Sequence, residues 1–216
     1  MAFNQPITEL TTAGTDAAMG VLCVGLVLRL RAVNTSATWS RMVWTWVFLL
    51  LVVASGLGAV AHGLALPAPV RSALWHPLYL SLGLSIALFM VAAVADGRGE
   101  NASRALLPWA IGAGVAFFAL SRLLGGAFLI FVVYEAVAMV VALGIYATLA
   151  ARRHVPGAWI VSAGIALTLV AAAVQSSSLR LTLLVPLDHN GLFHLVQMVA
   201  TVVVARGVGR LLVARP

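Results

Sequence analysis

The 216-residue chain has 62% hydrophobic and 9% charged side chains and a mean hydropathy of +1.07, far from the roughly 45–50% apolar and 25% charged of a soluble domain. At about 20 apolar residues per crossing helix, seven spans and short turns use up the chain, which excludes a sizeable soluble domain. All 13 basic side chains are arginine, so a retinal Schiff base, a P-loop lysine and imine-forming catalysis are excluded, and the +7 formal charge points to cytoplasmic loops rather than to a nucleic-acid partner.

Apolar runs bounded by Pro, Gly, Arg or Ser clusters predict helices over 15–30, 43–66, 74–95, 105–120, 126–150, 158–176 and 190–213. The expectation is an all-α, polytopic seven-helix membrane protein, one domain over 1–216. Residues Met1 to Thr12 have no basic residue before the first apolar run, which argues against a cleaved signal peptide. The first span opens on Thr15-Asp16, a possible helix cap, and contains the single Cys23, a packing residue with no disulfide partner.

Ser55 and His62 lie two turns apart on one face of the second span. The third follows the Pro67-Ala68-Pro69 turn and starts at Trp75-His76, where a histidine reads as solvated. Asp96 and Glu100 read as a solvated loop pairing with Arg98 and Arg104. Glu135 falls inside the fifth span and Gln175 ends the sixth. Asp188 is placed to cap the seventh, which His189, Asn190 and His194 enter.

Arginine placement predicts an N-out, C-in orientation. It puts Arg29, Arg31, Arg41, Arg98, Arg104, Arg152, Arg153, Arg206, Arg210 and Arg215 inside, and only Arg71, Arg122 and Arg180 outside. Trp39, Trp44, Trp75, Trp109 and Trp159 lie near span ends and predict an interfacial belt, while Gly56, Gly58, Gly63, Gly112 and Gly114 predict close helix approach. Polar residues inside spans are costly and therefore mark a site. Asp16, Ser55, His62, His76, Glu135, Gln175, His189, Asn190 and His194 all fall in the outer half, leaving His154 as the one inner histidine. Ser55 on spacing alone also suits back-bonding to its own helix.

Helix 7 reads Leu187-Asp188-His189-Asn190-Gly191-Leu192-Phe193-His194. It resembles the seventh helix of the CREST superfamily, the seven-helix proteins that include alkaline ceramidases and the progestin and adipoQ receptors. The resemblance is shared by Ser55 and His62 in helix 2. In particular, Thr15-Asp16 and Asn190 to His194 resemble an uncharacterised bacterial branch, which implies a bacterial plasma-membrane protein. The superfamily resemblance implies a Zn2+-dependent hydrolase of a lipid amide or ester, with His62, His194 and either His189 or a carboxylate at the metal. Asn190 stands where the family has the first histidine of an H-x-x-x-H pair, and an amide is a poor zinc ligand. Glu135 or Asp16 would take a proton and Ser55 would stabilise the oxyanion.

Two other function classes fit the same residues. One is a non-enzymatic lipid-binding or receptor-like seven-helix protein with a degenerate metal site. The other is a b-type haem protein with His62 and His194 as axial ligands and Arg71 or Arg180 near the propionates. Proton or ion transport through Asp16 and Glu135 lacks an inverted repeat to support it.

Overall fold

Along most of the chain the helices outrun their apolar stretches. The computed structural model describes residues 6–125, 128–182 and 184–214, without the side chain of residue 128. Gly126 and Arg215 lie outside those residues. The helices are α1 (Ile7–Arg31), α2 (Thr38–Gly63), α3 (Ala68–Arg98), α4 (Glu100–Leu123), α5 (Phe128–Arg153), α6 (Ala158–Gln175) and α7 (His189–Val213). All seven are long and apolar enough to cross a bilayer. The protein is therefore an all-α, seven-helix integral membrane protein. Helices satisfy their own backbone groups, which is what the lipid interior demands.

α1 begins eight residues before the apolar run, because Ile7 to Gly14 is polar but helix-compatible. Asp16 accordingly lies more than two turns inside α1 and caps nothing. The expected loop at 96–100 is almost absent: α3 runs to Arg98, and Gly99 alone separates it from α4, at a φ of 91° that favours glycine. Of the expected loop pairs, Glu100 and Arg104 do meet, at 2.7 Å. Asp96 instead is buried and accepts hydrogen bonds from Ser40 Oγ (2.8 Å), Trp44 Nε1 (3.2 Å) and Tyr146 OH (2.7 Å). The connection before α7 contains a small antiparallel hairpin, β1 (Leu181–Thr182) with β2 (Pro186–Leu187). Thr11 Oγ1 ties it to α1 by donating to the Pro186 carbonyl at 2.8 Å.

The bundle is apolar outside as well as inside. Val21, Leu28, Trp46, Trp109, Val137 and Trp159 are exposed, as expected of faces that meet lipid tails. Trp159 is exposed at the start of α6, as the belt requires, whereas Trp109 is exposed near the middle of α4 because that helix begins at Glu100. Trp39 and Trp44 do not fit the belt: both are buried, donating their indole N–H to Ser103 Oγ (3.0 Å) and Asp96. An indole inside lipid-exposed helices needs a partner for that N–H, and a buried acid or hydroxyl supplies it.

Close approach governs the packing where hydrophobic drive is missing. A Cβ on Gly114 would meet the Gly83 carbonyl oxygen at 3.1 Å across α3 and α4, and one on Gly207 would meet Val161 N at 2.7 Å across α6 and α7. Gly58 and Gly63 likewise face α1. Gly56 and Gly112 have nothing within 4 Å and play no such part.

Candidate functional site

Chain direction alternates through the bundle, so the start of α1, the end of α2, the start of α3, the end of α6 and the start of α7 share one end. There α1 carries Glu9, Thr12, Asp16 and Gly20 at helical spacing, a single stripe turned toward α2 and α7. Each member meets a partner. Glu9 Oε2 lies 2.6 Å from His62 Nδ1. Thr12 Oγ1 donates to Asp188 Oδ1 at 3.2 Å. Asp16 Oδ1 lies 3.3 Å from His194 Nε2, and Gly20 faces the Ser55 Cβ.

These contacts assign protons. A carbonyl only accepts, so the Thr15 hydroxyl proton goes to the Thr12 carbonyl at 2.8 Å. His194 Nδ1, 2.9 Å from that same hydroxyl, is then the donor. The opposite nitrogen, Nε2, faces Asp16 Oδ1. On His62, Nδ1 is held at Glu9 Oε2, and Nε2 has no hydrogen bond among the described residues. Asp188 caps α7 as expected, accepting from Asn190 N and Gly191 N at 3.0 Å each.

Between these elements lies a cavity of about 500 Å³. Asp16, Ser55, His62, His189, Asn190 and His194 all line it, as does Gln175, so the structure brings together most of the polar residues singled out by sequence. The lining from α3 and α5 is apolar and aromatic, with Leu78, Tyr79, Leu82 and Phe131, and Phe193 adds a ring from α7. Trp75 packs edge-on to His62 at 5.3 Å between centroids and Tyr79 follows at 6.0 Å from Trp75.

Two expected residues are elsewhere. His76 does not line the cavity: adjacent helical residues diverge by about 100°, and it is Trp75 that faces inward. Glu135 lines a separate cavity of about 60 Å³ deeper in the bundle, which shares only Leu51 and Gln197 with the larger one. It therefore does not stand beside the histidines as a base.

Sequence reasoning missed Glu9, which lay in the polar start of α1, and the aromatic lining from α3 and α5. It also missed Asp96. At the other end of the bundle Asp96 lines a recess of about 620 Å³ with Trp39, Arg98 and Arg153.

Among the described residues no three His, Cys, Asp or Glu side chains form a group able to hold a metal ion. Both ring nitrogens of His194 are already engaged, and Asn190 offers an amide where imidazole would be needed. The same engagement leaves His194 without a nitrogen for haem iron, and neither Arg71 nor Arg180 lines the cavity.

A model of the DUF6962 family, a family of unknown function, matches residues 11–213. No curated protein and no solved structure matches the chain.

Proposed function

The chain belongs to the DUF6962 family, and we propose that it binds an uncharged amphiphile in the 500 Å³ cavity at the histidine-bearing end of the bundle. The volume lies within the roughly 300–1,000 Å³ of small-molecule sites. The observation that carries the reading is the division of the wall. Helices α1, α2, α6 and α7 bring imidazole, amide, hydroxyl and carboxyl groups; α3 and α5 bring only aromatic and aliphatic ones. No arginine lines the cavity, and its one acid, Asp16, lies 3.3 Å from His194 Nε2. A phosphate headgroup would find no cation there. A hydroxyl, ester or amide headgroup would find both donors and acceptors, with its tail against Tyr79, Leu82 and Phe131.

The uneven distribution of arginine supports placing this cavity in the outer half of a bacterial plasma membrane, with the N-terminus outside. The ligand would then come laterally from the bilayer. In vesicles, a monoacylglycerol carrying a diazirine in its tail is expected to label the α3 and α5 segments around Leu82 and Phe131, and to lose that labelling in His62→Ala and His194→Ala. Undiminished labelling in both variants contradicts the proposal.

One observation favours a second reading, hydrolysis of a lipid amide or ester. Glu9 orients His62 through Nδ1, which leaves Nε2 able to take a proton from water or from a hydroxyl of the bound lipid. This reading needs no metal, and none of its steps is routed through one. Release of free fatty acid or amine from a bound lipid by the wild type but not by His62→Ala would establish it; no turnover leaves binding alone.

A further inference from the structure

Below the ligand cavity, Glu135 is 7% exposed and its Oε2 is buried without a hydrogen-bond partner among the described residues. Gln197 Oε1 is in the same condition. Both line the cavity of about 60 Å³, with Ser85, Thr168 and Thr201. The surrounding hydroxyls are committed in one sense. Ser85 Oγ donates to the Val47 carbonyl and Thr168 Oγ1 to the Gly164 carbonyl, each at 3.2 Å. Their protons are spent on backbone, so what they can still offer is lone pairs.

Gln197 Nε2 gives one of its two protons to Thr168 Oγ1 at 3.3 Å, and its carbonyl oxygen is the buried atom left without a partner among the described residues. The Trp44 indole N–H on the same wall is given to Asp96. Apart from the Thr201 hydroxyl and the second N–H of Gln197, the polar side chains of this cavity therefore offer acceptors. No arginine or histidine lines it to balance Glu135.

We infer that this cavity is a binding site for a small monovalent cation, held by Glu135, the Gln197 carbonyl oxygen and the hydroxyl oxygens of Ser85, Thr168 and Thr201. A hard cation prefers such oxygens. One carboxylate balances one positive charge, whereas Ca2+ sites draw six to eight oxygens, commonly from several carboxylates. The volume admits an ion with a water or two. Leu51 and Gln197 line both cavities, so the ion sits directly beneath the ligand site. The inference does not depend on what fills that upper site.

The test uses purified full-length protein in detergent without added lipid ligand, unfolded by heat at constant ionic strength in NaCl, KCl or choline chloride. Sodium is expected to raise Tm saturably by about 5 °C over choline, as a site-bound ion does for a protein of this size. Glu135→Gln should keep a cooperative transition and lose the difference between salts. Gln197→Met is the second variant should Glu135→Gln fail to fold, and should likewise lose the difference. Equal Tm for the wild type in all three salts, or a sodium effect that persists in a folded variant, overturns the inference and leaves the acceptors to water or to a proton on Glu135.

Discussion

The carboxylate of Asp16 occupies the space that a side chain on Gly58 would need: a Cβ there would come within 2.6 Å of Asp16 Oδ2 and 2.9 Å of its carboxyl carbon. The bare backbone of α2 thus lets an acid on α1 reach His194 on α7. Gly58→Ala is expected to push the carboxylate off His194 and cost about 1–3 kcal/mol in stability, the usual cost of overpacking a filled site. Ligand affinity should fall at least tenfold. Gly56→Ala, with nothing within 4 Å, should stay within about 0.5 kcal/mol. Chemical unfolding and ligand titration of both variants measure the contrast.

Glu9 and His62 should separate stability from function. The Glu9 side chain is 38% exposed, and ion pairs in that setting contribute little to folding. Glu9→Gln is therefore expected to leave Tm within about 2 °C of the wild type. It should nevertheless weaken ligand binding severalfold, because the His62 ring loses the acceptor that fixes its Nδ1. Calorimetry and a binding isotherm on the same preparation check both halves.

At the opposite end, Asp96 gathers three donors from α2 and α5. Asp96→Ala strips Ser40, Trp44 and Tyr146 of their acceptor inside the bundle and should destabilise by about 3 kcal/mol or more. Asp96→Asn, which keeps one carbonyl oxygen, should cost less. Ligand affinity at the other end should be unchanged in any fraction that folds, measured by unfolding and by titration.

Metal analysis bears on the helix 7 resemblance. With His194 engaged on both nitrogens, purified protein is expected to hold zinc well below one equivalent, and chelator should leave ligand affinity unchanged. Stoichiometric zinc that disappears in His62→Ala would restore the metal-dependent hydrolase.

The seven spans and the convergence of Asp16, Ser55, His62 and His194 were legible in the sequence for one physical reason. Polar groups inside long apolar runs are costly, and so stand out by position alone. Glu9 was not legible, because hydropathy places the start of α1 at the end of its polar first turns. Asp96 was hidden by the glycines and charges that follow it, which look like a loop until α3 is seen to continue through them. The separation of Glu135 from the histidines depends on which way α5 turns one side chain, and periodicity does not set that when nearly every neighbour is apolar. Trp75 and His76 pose the same question on α3, and packing against His62 answers it.

The most direct test of the central claim is headgroup selectivity at the upper cavity. Purified protein would be titrated with a monoacylglycerol and with a lysophosphatidic acid of the same chain, for the wild type and His194→Ala. The structure predicts saturable one-site binding of the uncharged lipid, at least tenfold weaker binding of the phosphate, and at least tenfold loss for the uncharged lipid in His194→Ala, equivalent to about 1.4 kcal/mol. Equal binding of both lipids, or an affinity indifferent to His194, would contradict it.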